Sequence, residues 1–217
     1  MKIYAVIPAR SNSKRFKNKN IQKLNKIPLF MHSINFAKKL KFIDKIIFTS
    51  DSNKYLNKIK NFKKLIKHRR SEKASRDKSM EEHIIKDLKK FFLIKNISIP
   101  DALLWLRPTH PLRSKKTFEK AFKLFLKYKK SVFVVHKVES RLFKQNEKYL
   151  IPANNLFKNR SMIRSQDCKP YFSIFSGEYF FFPKKFSKKF LSKKKMFVVS
   201  DKYTNVDIDN KRDLEIL

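Results

Sequence analysis

Apolar and polar positions change rhythm at regular intervals along the chain. A short apolar run at Lys2–Pro8 reads as a strand. An amphipathic segment of helical spacing follows at Pro28–Leu40, then a second strand at Asp44–Ser50 and polar helical residues to about Lys60. The pattern continues with a helix over Lys78–Lys95 and a strand at Ala102–Leu106. After these come a helix over Lys115–Lys129, with Phe118, Ala121, Phe122, Leu124 and Phe125 mostly on one face, and a strand at Val132–His136. Strands alternating with helices predict an α/β fold of three layers, with a mostly parallel sheet covered on both sides. Between Glu139 and Phe182 the rhythm shifts to short aromatic-rich runs with polar breaks, which reads as a small antiparallel excursion or dimerisation arm. Regular alternation resumes at Phe197–Ser200 and closes with a helix after Asn210. The expectation is a single domain, 1–217, with an inserted region at about 139–182.

Composition supports that picture. At 217 residues the chain suits one domain with a sizeable core, and 41% hydrophobic residues with twenty-two Phe argue against disorder. The longest apolar runs, such as Tyr179–Phe182, fall far short of the ~20 residues that span a bilayer, so no membrane association is expected. The N-terminus lacks the features of a signal peptide and the single Cys168 cannot form an internal disulfide; both point to the cytoplasm, and one Cys leaves no Cys-rich metal site. The net charge of +36 invites a nucleic-acid partner. Its lysines, however, are spread over the whole chain without a basic tail or arginine-rich tract, as on a solvated surface. Such a field favours small anions, including nucleoside triphosphates and acidic sugars.

In an open parallel sheet, ligands bind at the carboxyl ends of the strands, so the loop leaving the first strand is the first place to look. That loop, Ala9–Asn20, combines small polar residues with Arg10, Lys14 and Lys19, which can neutralise a polyphosphate. A solvated basic loop is the alternative reading. The glycines and GK[ST] ending of a Walker A loop are missing. Near the C-terminus, Asp207 and Asp209 lie two apart. On an extended segment their carboxylates share a side and can hold one hard divalent cation, although Asp209 or Asn210 can equally cap the last helix.

The stretch IPARSNSKRFKNKN resembles the signature loop of the CMP-sialic acid synthetases, the acylneuraminate cytidylyltransferases of the nonulosonate group. Four further segments fall in that family's order: FTSD (Phe48–Asp51); Arg69 with Glu72 and Ala74; LRPTHPLR (Leu106–Arg113); and VDIDNKRDL (Val206–Leu214). The resemblance covers nearly the whole chain and implies a Rossmann-like nucleotidyltransferase. Such an enzyme transfers CMP from CTP to the anomeric hydroxyl of a nine-carbon 2-keto acid sugar, of sialic, legionaminic or related type, releases pyrophosphate, and serves cell-surface polysaccharide synthesis.

The resemblance also implies roles. Arg10, Asn12, Ser13, Lys14, Lys19, Asn20, Arg69 and Ser79 would bind CTP, with Arg70 adjacent to Arg69. Asp207 and Asp209 would hold Mg²⁺ or Mn²⁺, and Arg10, Lys19 and Asp209 would carry the catalytic step. Arg107, Thr109, Arg113, Ser176 and Gly177 would face the sugar, with Arg107 and Arg113 receiving its carboxylate. A homodimer is implied, with Arg141, Lys144, Arg160 and Arg164 as candidates to reach a partner. Asp51 reads equally as a helix cap or a site residue, and His110 reads as structural.

The sequence departs from the family pattern at Arg107 (usually Gln), His110 (usually Ser) and Ser176 (usually Asn). The loop also lacks its usual glycine, leaving Asn12 to take any left-handed conformation needed. Cytidylyltransferases for Kdo or pseudaminic acid are alternatives within the class. The alternative of another class is a non-catalytic, basic nucleic-acid-binding protein on a degenerate transferase fold.

Overall fold

Side chains of β1 (Ile3–Ala9) alternate between two cores: Ile3, Ala5, Ile7 and Ala9 enter one, Tyr4 and Val6 the other, and all are buried. A strand buried on both faces belongs at the middle of a covered parallel sheet, and β1 pairs in parallel with β4 (Lys45–Ser50) and β6 (Ala102–Leu106). The computed structural model describes residues 1–11, 13, 16–76, 79–152, 164–183 and 195–217, with backbone alone at 165, 175, 176 and 202. Among these, β5 (Leu65–Arg69) extends the sheet beyond β4. On the far side β10 (Tyr171–Phe181) runs antiparallel between β6 and β7 (Val132–Val138), and β11 (Met196–Val199) lies parallel to β7. The strand order is β11-β7-β10-β6-β1-β4-β5, parallel except for β10.

Helices α1 (Leu29–Lys39) and α5 (Lys115–Tyr128) cover one face, contributing Phe30, Ile34, Phe118 and Phe125 to the larger core. Helix α4 (Glu81–Ile94) covers the other, where Ile84, Ile85, Leu88 and Phe92 meet Tyr4, Leu103 and Trp105. Shorter helices α2 (Asn53–Asn57) and α3 (Glu72–Ser75) follow β4 and β5, and α6 (Lys211–Glu215) closes the chain. A small ribbon of β2 (Lys23–Leu24) and β3 (Ile27–Pro28) precedes α1. Its Leu24 packs with Leu29 and fully buried Ile208, fastening the C-terminal segment beneath the first loop.

The expected three layers and mostly parallel sheet are present. Two features differ from the expectation. Strand β5 has too basic a face to register as an apolar run. The aromatic region expected to leave the sheet does so only in part: β8 (Phe143–Asn146) and β9 (Tyr149–Pro152) form a separate exposed hairpin, whereas β10 re-enters the sheet centre. β10 alternates like a core strand, with Tyr179 towards α5 and Phe180 towards α4. No helix among the described residues is long and apolar enough to cross a membrane.

Candidate active site

The carboxyl ends of β1, β5 and β6 open into a cleft of about 260 Å³ lined by Pro8, Arg10, Lys19, Asn20, Arg70, Ser79, Glu81, Ile84, Trp105, Arg107, Pro108 and Thr109. Three cations converge from the first loop and the end of β5. Asn20, buried, donates its side-chain amide to the Arg10 carbonyl (2.7 Å), tying the far end of the loop to its start. Asp51 accepts from the Ser11 N–H (2.8 Å) and hydroxyl (3.0 Å). It therefore fastens the loop after β1 rather than capping α2, whose N-cap Ser52 makes no side-chain cap bond. The left-handed residue described in this loop is Asn18 (φ 56°), whose side-chain oxygen accepts from the Tyr55 hydroxyl at 3.2 Å.

The structure therefore brings Arg10, Lys19, Asn20, Ser79, Arg107 and Thr109 to one cleft. Ser13 is half-buried in the same loop, its N–H bonded to the Ser11 carbonyl, while Asn12 and Lys14 lie outside the described residues. Arg69 does not line the cleft; its neighbour Arg70 does. Arg69 ends β5 on the solvent side. Arg70 turns inward, donating Nε to the Thr49 hydroxyl (3.2 Å) and Nη2 to the Thr49 carbonyl (3.1 Å). Burial lowers the Arg70 guanidinium to about 10 against the pull of Asp51, so it remains charged at neutral pH.

Arg113 also departs from expectation. Its Nη1 donates to Ser33 (3.1 Å), its Nη2 donates to the Arg107 carbonyl, and burial lowers it to about 9, so its guanidinium is engaged beneath the loop and does not line the cleft. Gly177 sits in mid-β10 opposite Leu106, without a positive φ. A Cβ there would lie 2.7 Å from the Phe118 ring, so this glycine makes room in the core beneath α5. The Ser176 side chain lies outside the description.

Beside the cleft, the C-terminal segment contributes Asp207 and Asp209 either side of buried Ile208, whose N–H bonds the Thr109 carbonyl at 2.9 Å. The Lys19 ammonium lies 2.8 Å from Asp209, and His110 Nε2 lies 3.7 Å from Asp207. Burial, and then the Asp209 charge, raise the Asp207 carboxyl above its usual range against a hydrogen bond from Thr109. Burial, with Arg113 and Arg107 nearby, pushes His110 down to about 3, so it is a neutral imidazole under the loop, in line with a structural role. Two oxygen donors straining against each other suit Mg²⁺, which takes one or two protein carboxylates and completes its shell with water and phosphate. Among the described residues no group of three or more His, Cys, Asp or Glu forms an all-protein metal cage.

A second cavity, also about 260 Å³, shares Glu81, Trp105 and Arg107 with the first and continues over Met80, Glu82, Phe133, Ile174, Glu178, Phe180 and Lys195. Glu178 belongs to none of the motifs in the sequence. Its signal was a carboxylate in FSGEYFF, an otherwise apolar run.

The sequence pattern of the family described as "Cytidylyltransferase" matches residues 4–190. The CMP-N,N'-diacetyllegionaminic acid synthase of Legionella pneumophila is 33% identical over 135 residues, 62% of this chain and 58% of that protein. The N-acylneuraminate cytidylyltransferase of Escherichia coli is 26% identical over 223 residues, 99% of this chain and 51% of that protein. The chain thus spans about half the length of these two relatives. Among solved structures, the 2-C-methyl-D-erythritol 4-phosphate cytidylyltransferase of Francisella tularensis superposes with a TM-score of 0.67 at 13% identity, covering 100% of this chain and 98% of that one. A CMP:2-keto-3-deoxy-manno-octonic acid synthetase complexed with CTP gives 0.66 at 13% identity, covering 100% and 96%. The structural likeness establishes the shared fold, the sequence match establishes descent, and the chain belongs to the cytidylyltransferase family.

Proposed function

We propose that the protein transfers CMP from CTP to the anomeric hydroxyl of a nine-carbon 2-keto acid sugar. The observation that carries this reading is the convergence of Arg10, Lys19 and Arg70 on one cleft with the Asp207/Asp209 pair beside Lys19. Three fixed cations match a triphosphate, and fixed charges at the leaving group stabilise a phosphoryl-type transition state without reorganisation. The names of the relatives, an N-acylneuraminate cytidylyltransferase and a CMP-legionaminate synthase, support a nonulosonic acid as acceptor.

In the reaction the sugar hydroxyl oxygen forms a bond to the α-phosphorus, the bond from that phosphorus to the bridging oxygen breaks, the hydroxyl proton passes to solvent water, and pyrophosphate departs. Arg10 and Arg70 hold the triphosphate. Lys19, exchanging Asp209 for phosphate oxygens, neutralises charge as pyrophosphate forms. Asp207 and Asp209 would hold Mg²⁺, which when bound offsets phosphate charge. Asn20 and Ser79 orient the nucleotide within the cleft, Thr109 faces the sugar, and Arg107 meets the sugar carboxylate from the second cavity.

A homodimer belongs to the same reading. Phe143, Tyr149 and Leu150 of the hairpin and Tyr171 and Ile174 of β10 are exposed, an apolar surface that suits a second copy. The test of the activity is pyrophosphate release from CTP and Mg²⁺ with N-acetylneuraminic, legionaminic, pseudaminic and Kdo acids. Turnover with a nine-carbon acid that is lost in Asp207→Ala/Asp209→Ala is expected. Silence with every acid from a folded protein overturns the reading.

A further inference from the structure

Arg107 leaves the end of β6 in the wall that separates the two cavities, and it is paired with two carboxylates of unequal standing. Glu178 ion-pairs with Nη1. It is fixed in mid-β10 opposite Trp105, and its side chain is 6% exposed. Glu81, the first residue of α4, approaches Nη2 at 3.5 Å from a side chain that is 51% exposed. One partner is locked in the sheet; the other rests against the guanidinium at more than hydrogen-bond length with open solvent beside it.

An ion pair with Glu178 buried and the Arg107 side chain 29% exposed is not placed where stability gains most. Glu178 lies between Trp105 and Phe180, where an apolar side chain would avoid desolvating a carboxylate, and buried pairs are often no more stable than apolar replacements of similar volume. What the pair does secure is direction. With Nη1 held, the planar fork of Arg107 can turn only a limited way, and Nη2 faces the cavity junction, where an incoming carboxylate finds a ready donor.

We propose that Glu178 is a positioning residue that aims Arg107, and that Glu81 is an internal stand-in for the carboxylate of the acidic sugar, displaced when the sugar binds. This rests on the acidic-sugar reading above. The two carboxylates touch one guanidinium yet act with opposite sign. Glu178 supports binding of the sugar acid by fixing its receptor, and Glu81 opposes it by occupying the place.

Steady-state kinetics with the acid that wild type turns over test this through the Michaelis constants. Glu178→Gln is expected to raise KM for the sugar acid about tenfold or more with kcat and KM for CTP little changed. Glu81→Gln is expected to lower KM for the sugar acid several-fold, by more than any change in KM for CTP. The proposal is overturned if both variants move the sugar KM in the same direction, if neither moves it, or if Glu178→Gln weakens CTP as much as the sugar. Should Glu178→Gln fail to fold, Glu81→Gln alone decides: a fall in sugar KM supports the stand-in, and an unchanged or raised value removes it. Wild type that turns over no acid removes both the reading and this inference, whereas turnover with the wrong signs removes only the inference.

Discussion

Arg69 and Arg70 are adjacent cations with opposite fates, and strand geometry explains why. Successive side chains leaving a strand point to opposite sides, so one of the two had to face solvent, and the Thr49 hydroxyl and carbonyl select Arg70 as the inward one. Replacing Arg70 by Ala is expected to raise KM for CTP at least tenfold, about 1.4 kcal/mol of binding. Arg69→Ala should leave it within about twofold; equal effects from the two would return the nucleotide role to Arg69. The motif located the region from sequence, but which arginine turns in depends on Thr49 on β4, twenty-one residues away. Gly177 shows the same limit. A chain with one glycine places Asn18, Asn25, Asn96 and even Lys129 at positive φ, and spends the glycine on space for the Phe118 ring. Phe118 is itself pinned by Phe36 at 4.8 Å. Gly177→Ala is therefore expected to cost about 1–3 kcal/mol in urea unfolding, as overpacked cores do, with the Phe118 ring forced away from β10.

At the scale of elements, a buried polar chain ties α4 to the cleft. Thr49 on β4 bonds His68 Nδ1 (2.9 Å), His68 Nε2 lies 3.5 Å from Asp87 on α4, and Asp87 in turn accepts from the Ser71 N–H (2.8 Å). Burial lowers His68 to about 4, against Asp87 and with Arg70. A base whose folded pKa lies below its unfolded value near 6.5 lends stability that is complete above pH 6.5 and lost as pH falls towards 4, where the unfolded chain takes up the proton first. The loss from this group is at most roughly 3–4 kcal/mol across that window. His68→Gln should flatten the fall of unfolding free energy between pH 6.5 and 4 relative to wild type, and parallel curves would show that His68 ionises freely.

The elements that read clearly from sequence are those whose pattern is purely local. β1 and β4 are apolar runs, and α1 and α5 are stripes of Phe, Ile and Leu at helical spacing. β5 escaped because its residues Leu-Ile-Lys-His-Arg belong to an edge strand with few apolar positions, and its pairing with β4 supplies what its composition lacks. β10 escaped for the opposite reason. It is aromatic enough for a core strand, but nothing local says that it returns between β6 and β7 after the hairpin. The Asp207/Asp209 pair stands out in the sequence by its two-residue spacing, and the structure sets both carboxylates beside the cleft, with Asp209 on Lys19. Glu178 does not stand out, because its importance lies in Arg107, seventy-one residues away.

The molecule as a whole is a covered, mostly parallel sheet whose ligand edge gathers cations from the first loop, the end of β5 and the loop after β6, with carboxylates from the C-terminal segment. The charge of +36 draws anions generally; the cleft gives that attraction a shape. Nonspecific attraction to polyanions fades steeply with salt through counterion release, whereas a built triphosphate site has fixed partners and a fixed reaction. The most direct measurement follows phosphorus from CTP labelled separately at the α and γ positions, with Mg²⁺ and a nine-carbon 2-keto acid. The account predicts that the α label appears in a CMP-sugar while the γ label appears as pyrophosphate, in equal amounts. Release of the γ label as orthophosphate, or an α label that never joins the sugar, would contradict it.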